Sequence, residues 1–234
     1  MAFLYALQNP KKWNDYLRIY NMSDDELFQT TRFPRQSVHE LIDLLHDDLT
    51  RHTERSHAVP VDTQVLTALQ FYSTGSFQWM VGRSTGLSQL SVSRVITGVT
   101  DALCKLADKS LCFPLHQQAL TDSKQAFSAI AGFGNVIGSV DCTHIPIKSP
   151  SVHEEAYVNR KGVHTINVQA VCDANMRFLD VVAKWPGATH DSFIWRSSSL
   201  RELFEGGHIQ GGWLLGMLKF SINFMQPGKI HQQH

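Results

Sequence analysis

Two acidic residues of this sequence occupy positions from which a carboxylate could do chemistry. Asp141 directly follows the largely apolar run 136–140, so a strand would deliver its side chain. Asp191 lies in a turn that leads into a predicted helix. Carboxylate oxygens are the ligands that Mg²⁺ and Mn²⁺ prefer. Brought together by a folded sheet, the two acids could hold such an ion, which would activate water and stabilise the leaving oxygen in phosphodiester hydrolysis.

Each acid also has an ordinary structural explanation, and the spacing leaves both explanations open. A lone Asp at a strand end commonly caps a turn, and an Asp in the first turn of a helix is favoured by the helix dipole. A zinc site is disfavoured, because the candidate ligands lack the close paired spacing of structural zinc sites. Those candidates are His144, His153, His164, His190, Cys142 and Cys172.

Two adjacent cations, Arg160 and Lys161, precede Gly162 just before the second predicted strand. If this segment lies near Asp141, the two side chains could contact a phosphate backbone. An exposed hairpin loop explains the same residues equally well.

The segment 78–95 has the spacing of a helix-turn-helix. Val81 and Gly82 stand where the first helix must approach the second, and Gly86 stands where the turn needs a flexible backbone. Leu87, Val92 and Val95 then face inward, which leaves an outward face for base edges or phosphates. The predicted DNA-facing residues are Arg83, Ser88, Gln89, Ser91 and Arg94. An ordinary helical hairpin, with Ser and Thr serving as caps, is the alternative.

The elements that would position these residues change in character along the chain. Apolar residues recur at helical spacing from about Trp13 to Phe133. Short β-branched runs then predict strands at 136–147, 164–173 and 177–187, followed by one helix over 190–207 and a strand at 211–217. The fold class is therefore α+β. The strands match the start of an RNase H-like mixed sheet, in which the fourth strand lies parallel beside the first.

Composition limits the possible functions. Lys and Arg number 21 and so do Asp and Glu, so no global positive field holds nucleic acid, and DNA contact must come from local clusters. The four cysteines are widely spaced, which suits a reducing compartment. The N-terminal apolar run is too short for a signal peptide or membrane span.

Several motifs in order resemble the Harbinger transposase-derived nucleases, a branch of the DDE transposases. The motifs are Val140-Asp141-Cys142-Thr143-His144-Ile145, Tyr157-Val158-Asn159-Arg160-Lys161-Gly162, Trp185-Pro186-Gly187, His190-Asp191-Ser192 and Trp213-Leu214-Leu215-Gly216. The resemblance implies an RNase H-like nuclease core with two divalent metal ions bound by three acids. Asp141 matches the first of these acids, and Asp191 matches a further acidic position near the metal site. It also implies work in the nucleus as well as the cytoplasm, on DNA, with a separate Myb-like DNA-binding partner and no membrane.

The sequence departs from the family after Gly216. The resemblance implies a second acid there, whereas this chain has Met217, Leu218 and Lys219, and the segment that follows resembles nothing in the family. We therefore expect a helical region over 1–130 with its hairpin near 77–104, a partial or truncated nuclease core over 131–216 and a divergent tail over 217–234. The expected function is a metal-dependent nuclease made inactive by missing acids. The alternatives are a non-catalytic module that binds DNA or a partner, and a structural protein without a DNA role.

Overall fold

The computed structural model describes residues 21–51, 58–209, 211–218 and 221–225. The predicted helical start at Trp13 lies outside these residues, as do most of the expected tail and the N-terminal apolar run. The chain divides into two compact units, of which the first ends at Lys109 and the second begins at Ser110.

The described part of the first unit is helical, as the apolar spacing predicts. Helices α1 (Asp24–Thr31), α2 (Arg35–Leu49), α3 (Val61–Thr74), α4 (Gln78–Thr85) and α5 (Gln89–Ser110) follow one another along the chain. Their apolar faces pack into one core, in which burial of each Leu or Val side chain contributes about 1.5–3 kcal/mol. The fully buried members of this core include Leu27, Val38, Leu45, Val65, Leu66, Val92 and Val99.

The junction of α4 and α5 has helix-turn-helix geometry. Gly86 ends α4 with φ of 71°, a left-handed conformation that glycine adopts without a Cβ penalty. A Cβ atom on Gly82 would lie 2.6 Å from the Leu87 carbonyl oxygen, so only glycine lets the turn pass this close. Val81, Leu87, Val92 and Val95 are buried as predicted. Ser88 caps α5, because its Oγ accepts a hydrogen bond from the Ser91 backbone N–H at 3.2 Å.

The second unit is built on a five-stranded mixed sheet that follows helix α6 (Gln117–Ala131). Strands β1 (Val136–Pro146), β2 (Thr165–Cys172) and β3 (Phe178–Pro186) form an antiparallel meander. Strand β4 (Trp213–Leu218) then lies parallel to β1, and the sheet order is β3-β2-β1-β4-β5. The α+β class and the parallel pairing of the first and fourth strands are therefore confirmed.

Strand β5 (Ser221–Met225) pairs antiparallel with β4 inside the segment that the sequence suggests is a divergent tail. This strand was not predicted from the sequence. A short helix, α7 (Glu154–Tyr157), between β1 and β2 was also not predicted.

The prediction of a single helix over 190–207 is wrong. Two short helices, α8 (Asp191–Arg196) and α9 (Ser199–Glu205), replace it. Ser198 begins α9 as its N-cap, and its hydroxyl accepts a hydrogen bond from the Arg201 N–H at 3.3 Å. Serine hydroxyls compete with helical hydrogen bonds in this way, so a run of three serines interrupts the helix. The predicted stop is confirmed, because α9 ends at Gly206.

The core of the second unit lies between the sheet and its helices. Gly138 and Gly212 let neighbouring strands pack closely, since an added Cβ would lie 2.9 Å from Leu214 and 2.7 Å from Ile137, respectively. All four cysteines are free, in agreement with their wide spacing. Among the described helices, none combines the length and apolar character needed to cross a bilayer. The fully or almost fully buried residues of this core are Leu120, Ile137, Val171, Leu200, Phe204, Ile209 and Leu214.

Candidate functional site

Strand β1 delivers Asp141 at the point where its side chains change from buried to exposed. Val140 is buried, whereas Asp141 is exposed and lies next to Ala170 of β2. The Asp141 Oδ1 atom accepts a hydrogen bond from the Cys142 backbone N–H at 2.9 Å. Asp141 lies within β1, which continues to Pro146, so the alternative role of capping a turn at a strand end is wrong, and the side chain is exposed.

Asp191 stands in the first turn of α8, directly after the N-cap residue His190. Its Oδ1 atom accepts a hydrogen bond from Nδ2 of Asn167 at 2.8 Å. The same Nδ2 atom also donates to the Thr189 carbonyl oxygen at 3.0 Å. Strand β2 therefore holds both the turn before α8 and the Asp191 carboxylate.

The turn before α8 can approach β2 because residue 187 is a glycine. A Cβ atom on Gly187 would lie 2.2 Å from Thr165 Oγ1 and 2.5 Å from the Tyr157 carbonyl oxygen. The Ala188 N–H donates to the Ala156 carbonyl oxygen at 2.9 Å, which ties this turn to the segment after β1. The glycine of the Trp-Pro-Gly motif thus lets the turn before Asp191 pack closely against β2.

Cys142 follows Asp141 directly in β1. Burial and then the negative charges of Asp191 and Asp141 raise the pKa of its thiol to about 12, so the thiol remains protonated at neutral pH. Cys142 pairs with Gln169 and lies on the face of the sheet that carries Asn167. Asp141, the preceding residue of the strand, lies on the opposite face, so the strand itself does not bring the two acids together.

Arg160 belongs to a tight turn that contacts the start of α8, where Asp191 lies. Gly162 has φ of 72°, and the Asn159 Oδ1 atom accepts hydrogen bonds from the N–H groups of Lys161 at 2.9 Å and Val163 at 3.2 Å. The Arg160 Nη2 atom donates to Nε2 of His190 at 2.7 Å. Arg160 thus contacts the residue that precedes Asp191 in the chain. Lys161, next to Arg160, is exposed.

The donor set fits a single hard cation in kind but not the two-ion centre that the resemblance implies. Asp141 and Asp191 offer carboxylate oxygens, and Mg²⁺ is commonly held by one or two carboxylates with water and phosphate oxygens. Within the described ranges, no group of three or more His, Cys, Asp or Glu side chains could hold an ion. The histidines considered for zinc have other neighbours: His144 contacts Thr165, and His164 lies 2.8 Å from Glu154 Oε1.

The hairpin residues expected to face DNA belong to the other unit. Arg83, Ser88, Gln89 and Arg94 are exposed, and Ser91 is half-buried. The Ser88 and Ser91 hydroxyls also hydrogen-bond to each other at 2.9 Å. These side chains have the outward placement that a DNA-facing role requires, and two of them also stabilise the start of α5.

Asn167 and Gln169 were not identified from the sequence. Both amides are almost fully buried on β2, where Asn167 pairs with His144 and Gln169 with Cys142. The only available signal was the presence of two polar residues at alternate positions of an otherwise apolar strand. That pattern indicates one polar face, which a strand buried on both faces would not show.

The sheet and its acidic site agree with the comparison against protein families. The family described as DDE superfamily endonuclease matches residues 140–233, a range that begins at Val140 of β1 and includes residues 217–233. This part of the chain is therefore of the DDE superfamily endonuclease class.

Similar curated proteins identify the branch of that class. "Putative nuclease HARBI1" of Rattus norvegicus is 40% identical over 217 residues, covering 93% of this chain and 62% of that protein. The protein of the same name in Homo sapiens gives the same identity and coverage. "Protein ALP1-like" of Arabidopsis thaliana is 27% identical over 205 residues, covering 83% of this chain and 50% of that protein. These similarities support the resemblance to the Harbinger transposase-derived nuclease family.

The chain spans about three fifths of the length of the HARBI1 proteins it matches, at 62%. No solved structure gives a significant match.

Proposed function

We propose that this chain is a DNA-binding member of the family whose nuclease site is incomplete. In this proposal the second unit binds one divalent cation, the helical hairpin binds DNA, and phosphodiester bonds are not hydrolysed. The observation that carries the proposal is the parallel register of β1 and β4, in which Val140 pairs with Gly216.

The register supports the loss of hydrolysis because it identifies the position on β4 beside Asp141. The next position after Gly216 is Met217, where the resemblance expects the second acid. A thioether does not replace a carboxylate toward a hard cation. Two-metal hydrolysis needs ions on both the attacking and the leaving oxygen, and Met217 removes one of the acids that the resemblance expects to hold them.

Asp191, one of the remaining acids, would still hold one Mg²⁺ or Mn²⁺ ion. Such an ion would neutralise charge on a phosphate, and water and phosphate oxygens would complete its coordination. Arg160 would contact the same phosphate backbone, because its guanidinium group lies 2.7 Å from His190, next to Asp191. Lys161 would add a second cation on the exposed side of this turn.

Cleavage of supercoiled plasmid DNA tests the catalytic part. We expect no Mg²⁺-dependent or Mn²⁺-dependent nicking by this chain above that of its Asp141→Ala variant, which controls for contaminating nuclease. The variant Met217→Asp restores an acid at the suspect position and should gain Mn²⁺ binding. Metal-dependent nicking by the unaltered chain that disappears in Asp141→Ala would show that the site is complete and the proposal wrong.

Binding to duplex DNA tests the hairpin. Arg94→Ala should weaken binding similarly across sequences and reduce the slope of log affinity against log salt by about 1, because one phosphate contact is lost. Arg51→Ala removes an exposed arginine that lies two residues after the end of α2 and is the charge-matched control. Equal losses in the two variants would mean that no specific contact is made by the hairpin.

A protein partner is the second candidate for the hairpin. Four apolar side chains near the starts of α4 and α5 are largely exposed, which suits a protein surface better than phosphates. They are Phe77 at 77%, Trp79 at 48%, Met80 at 48% and Leu90 at 60% exposure. Trp79→Ser should leave DNA affinity unchanged if DNA is the ligand, whereas loss of partner binding with normal DNA binding would favour the second candidate.

The resemblance to this family supports a proposal about the cellular context as well. The partner would be a separate Myb-like DNA-binding protein, and the chain would work in the nucleus as well as the cytoplasm. Co-purification of the full chain with a Myb-like protein, and its loss in Trp79→Ser, would test the partner.

A further inference from the structure

We propose that Asn167 positions Asp191 for its ligand. This inference rests on the proposed cation binding at Asp191. It assigns a role to a residue of β2 that is not itself expected to touch the cation.

The orientation of the Asn167 side chain is fixed by its neighbours. Its Nδ2 atom lies 2.8 Å from Asp191 Oδ1 and 3.0 Å from the Thr189 carbonyl oxygen. Both neighbours only accept hydrogen bonds, so the nitrogen and not the oxygen of the amide must face them. One amide group therefore holds the backbone of the turn and the carboxylate of the acid together.

Burial makes these hydrogen bonds effective. Asn167 has no exposed surface, and its Oδ1 atom has no hydrogen-bond partner. A hydrogen bond to a charged carboxylate is stronger than one between neutral groups, particularly away from water. The unpaired oxygen indicates that the side chain is kept in place by its two Nδ2 contacts.

Cys142 of the neighbouring strand lies on the same face of the sheet as Asn167. It pairs with Gln169, two residues from Asn167, so Cys142, Gln169 and Asn167 share this face. The Asn167 donor thus holds the Asp191 carboxylate on this face before any ligand arrives.

The test compares two buried amides of the same strand in the full chain. Asn167→Leu removes the donor with little change in volume, and Asn167→Ser is the smaller polar substitute if the leucine variant does not fold. Gln169→Met is the matched control, because Gln169 is 1% exposed and neither of its amide atoms has a hydrogen-bond partner. The readouts are Mn²⁺ affinity, followed by electron paramagnetic resonance, and amide hydrogen exchange of residues 188–194.

We expect the Asn167 variants to bind Mn²⁺ on the order of tenfold more weakly, as is usual when a residue that orients a metal ligand is lost. Exchange in 188–194 should accelerate in these variants because the turn loses its anchor. Gln169→Met should change neither readout. Unchanged exchange in the Asn167 variants, or equal effects in Gln169→Met, would overturn the inference.

The proposal that Asp191 binds a cation can be tested separately from the positioning role of Asn167. If the unaltered chain and its Asp191→Asn variant bind Mn²⁺ equally, Asp191 is not a ligand and the metal part of the proposed function is wrong. Hydrogen exchange of 188–194 then decides by itself whether Asn167 holds the turn. Faster exchange in the Asn167 variants supports the positioning role, and unchanged exchange rejects it.

Discussion

Cys142 is a thiol with negative charge nearby. Its side chain is half-buried, Asp141 precedes it in β1, and its ionisation would add a negative charge near Asp191. The raised pKa, at about 12, follows first from burial and then from the nearness of Asp191 and Asp141. The state of this thiol therefore reports on the carboxylates without needing a metal or DNA.

Alkylation rates test this arrangement. The thiolate is the reactive form, so a raised pKa slows the reaction at a given pH. At pH 8 we expect iodoacetamide to modify Cys142 at least about tenfold more slowly than exposed Cys104, with each site followed by peptide mass spectrometry. Asp191→Asn should accelerate Cys142 because it removes the neighbouring charge, and it should leave Cys104 unchanged. If the alkylation rate of Cys142 does not change in Asp191→Asn, the Asp191 carboxylate does not lie near the Cys142 thiol.

Individual site residues were only partly predictable. Asp141 and Asp191 were found because an acid after an apolar run and an acid before a predicted helix are conspicuous in the sequence. Asn167 was not, because its role depends on a contact with a residue 24 positions later that only the folded sheet creates. Arg160 was predicted as a cation near phosphate, but its contact with His190 follows from the Gly187 and Gly162 turns.

Helices α4 and α5 show how closely two elements can be joined when a glycine lies at their contact. The distance of 2.6 Å between a Cβ at position 82 and the Leu87 carbonyl oxygen leaves no space for a methyl group. Another glycine, Gly98 in α5, has only a Leu49 methyl group at 4.0 Å from the same added atom. The two positions are both helical but differ in their surroundings.

Alanine at these two glycines should change stability in opposite directions. Gly82→Ala should lower the free energy of unfolding by about 1–3 kcal/mol, because the turn must shift to relieve the overlap. Gly98→Ala should raise it by up to about 1 kcal/mol, because alanine favours the helix and has space. Urea unfolding followed by circular dichroism measures both. Similar effects at the two sites would contradict the tight packing of the hairpin.

Elements were predictable to the extent that their residues show a period. The helical hairpin, the strands and the parallel neighbour of β1 follow from apolar spacing and from the common handedness of such connections. The break between α8 and α9 was missed because apolar spacing continues through it, whereas the Ser198 hydroxyl ends one helix and begins the next. Strand β5 was not predicted because its segment was compared only with the family and the strand propensity of its residues was not considered.

Each of the two units of the molecule has a hydrophobic core of its own. The buried residues of the first core come from helices α1 to α5, and those of the second from α6, the sheet and the helices after β3. The described residues of one core do not appear in the other. Local stability should therefore be set within each unit.

A substitution in one core tests that independence. Leu66→Ala removes a fully buried side chain of the first core and should cost about 2–5 kcal/mol of local stability. Hydrogen exchange should accelerate in the first unit and remain unchanged in β1 to β3. Leu44→Ala, at a leucine that is 63% exposed, is the control and should have little effect anywhere. Accelerated exchange throughout the sheet would mean that the units unfold together.

The parallel pairing of β1 with β4 also has a consequence for the order in which the chain folds. Val140 and Gly216 are more than seventy residues apart in sequence, whereas β1, β2 and β3 join neighbouring segments. Closing such a long loop costs more chain entropy than forming a hairpin, so the meander should form first and β4 should add later. During synthesis, a three-stranded intermediate would thus already carry Asp141 before β4, the strand that pairs parallel with β1, has been made.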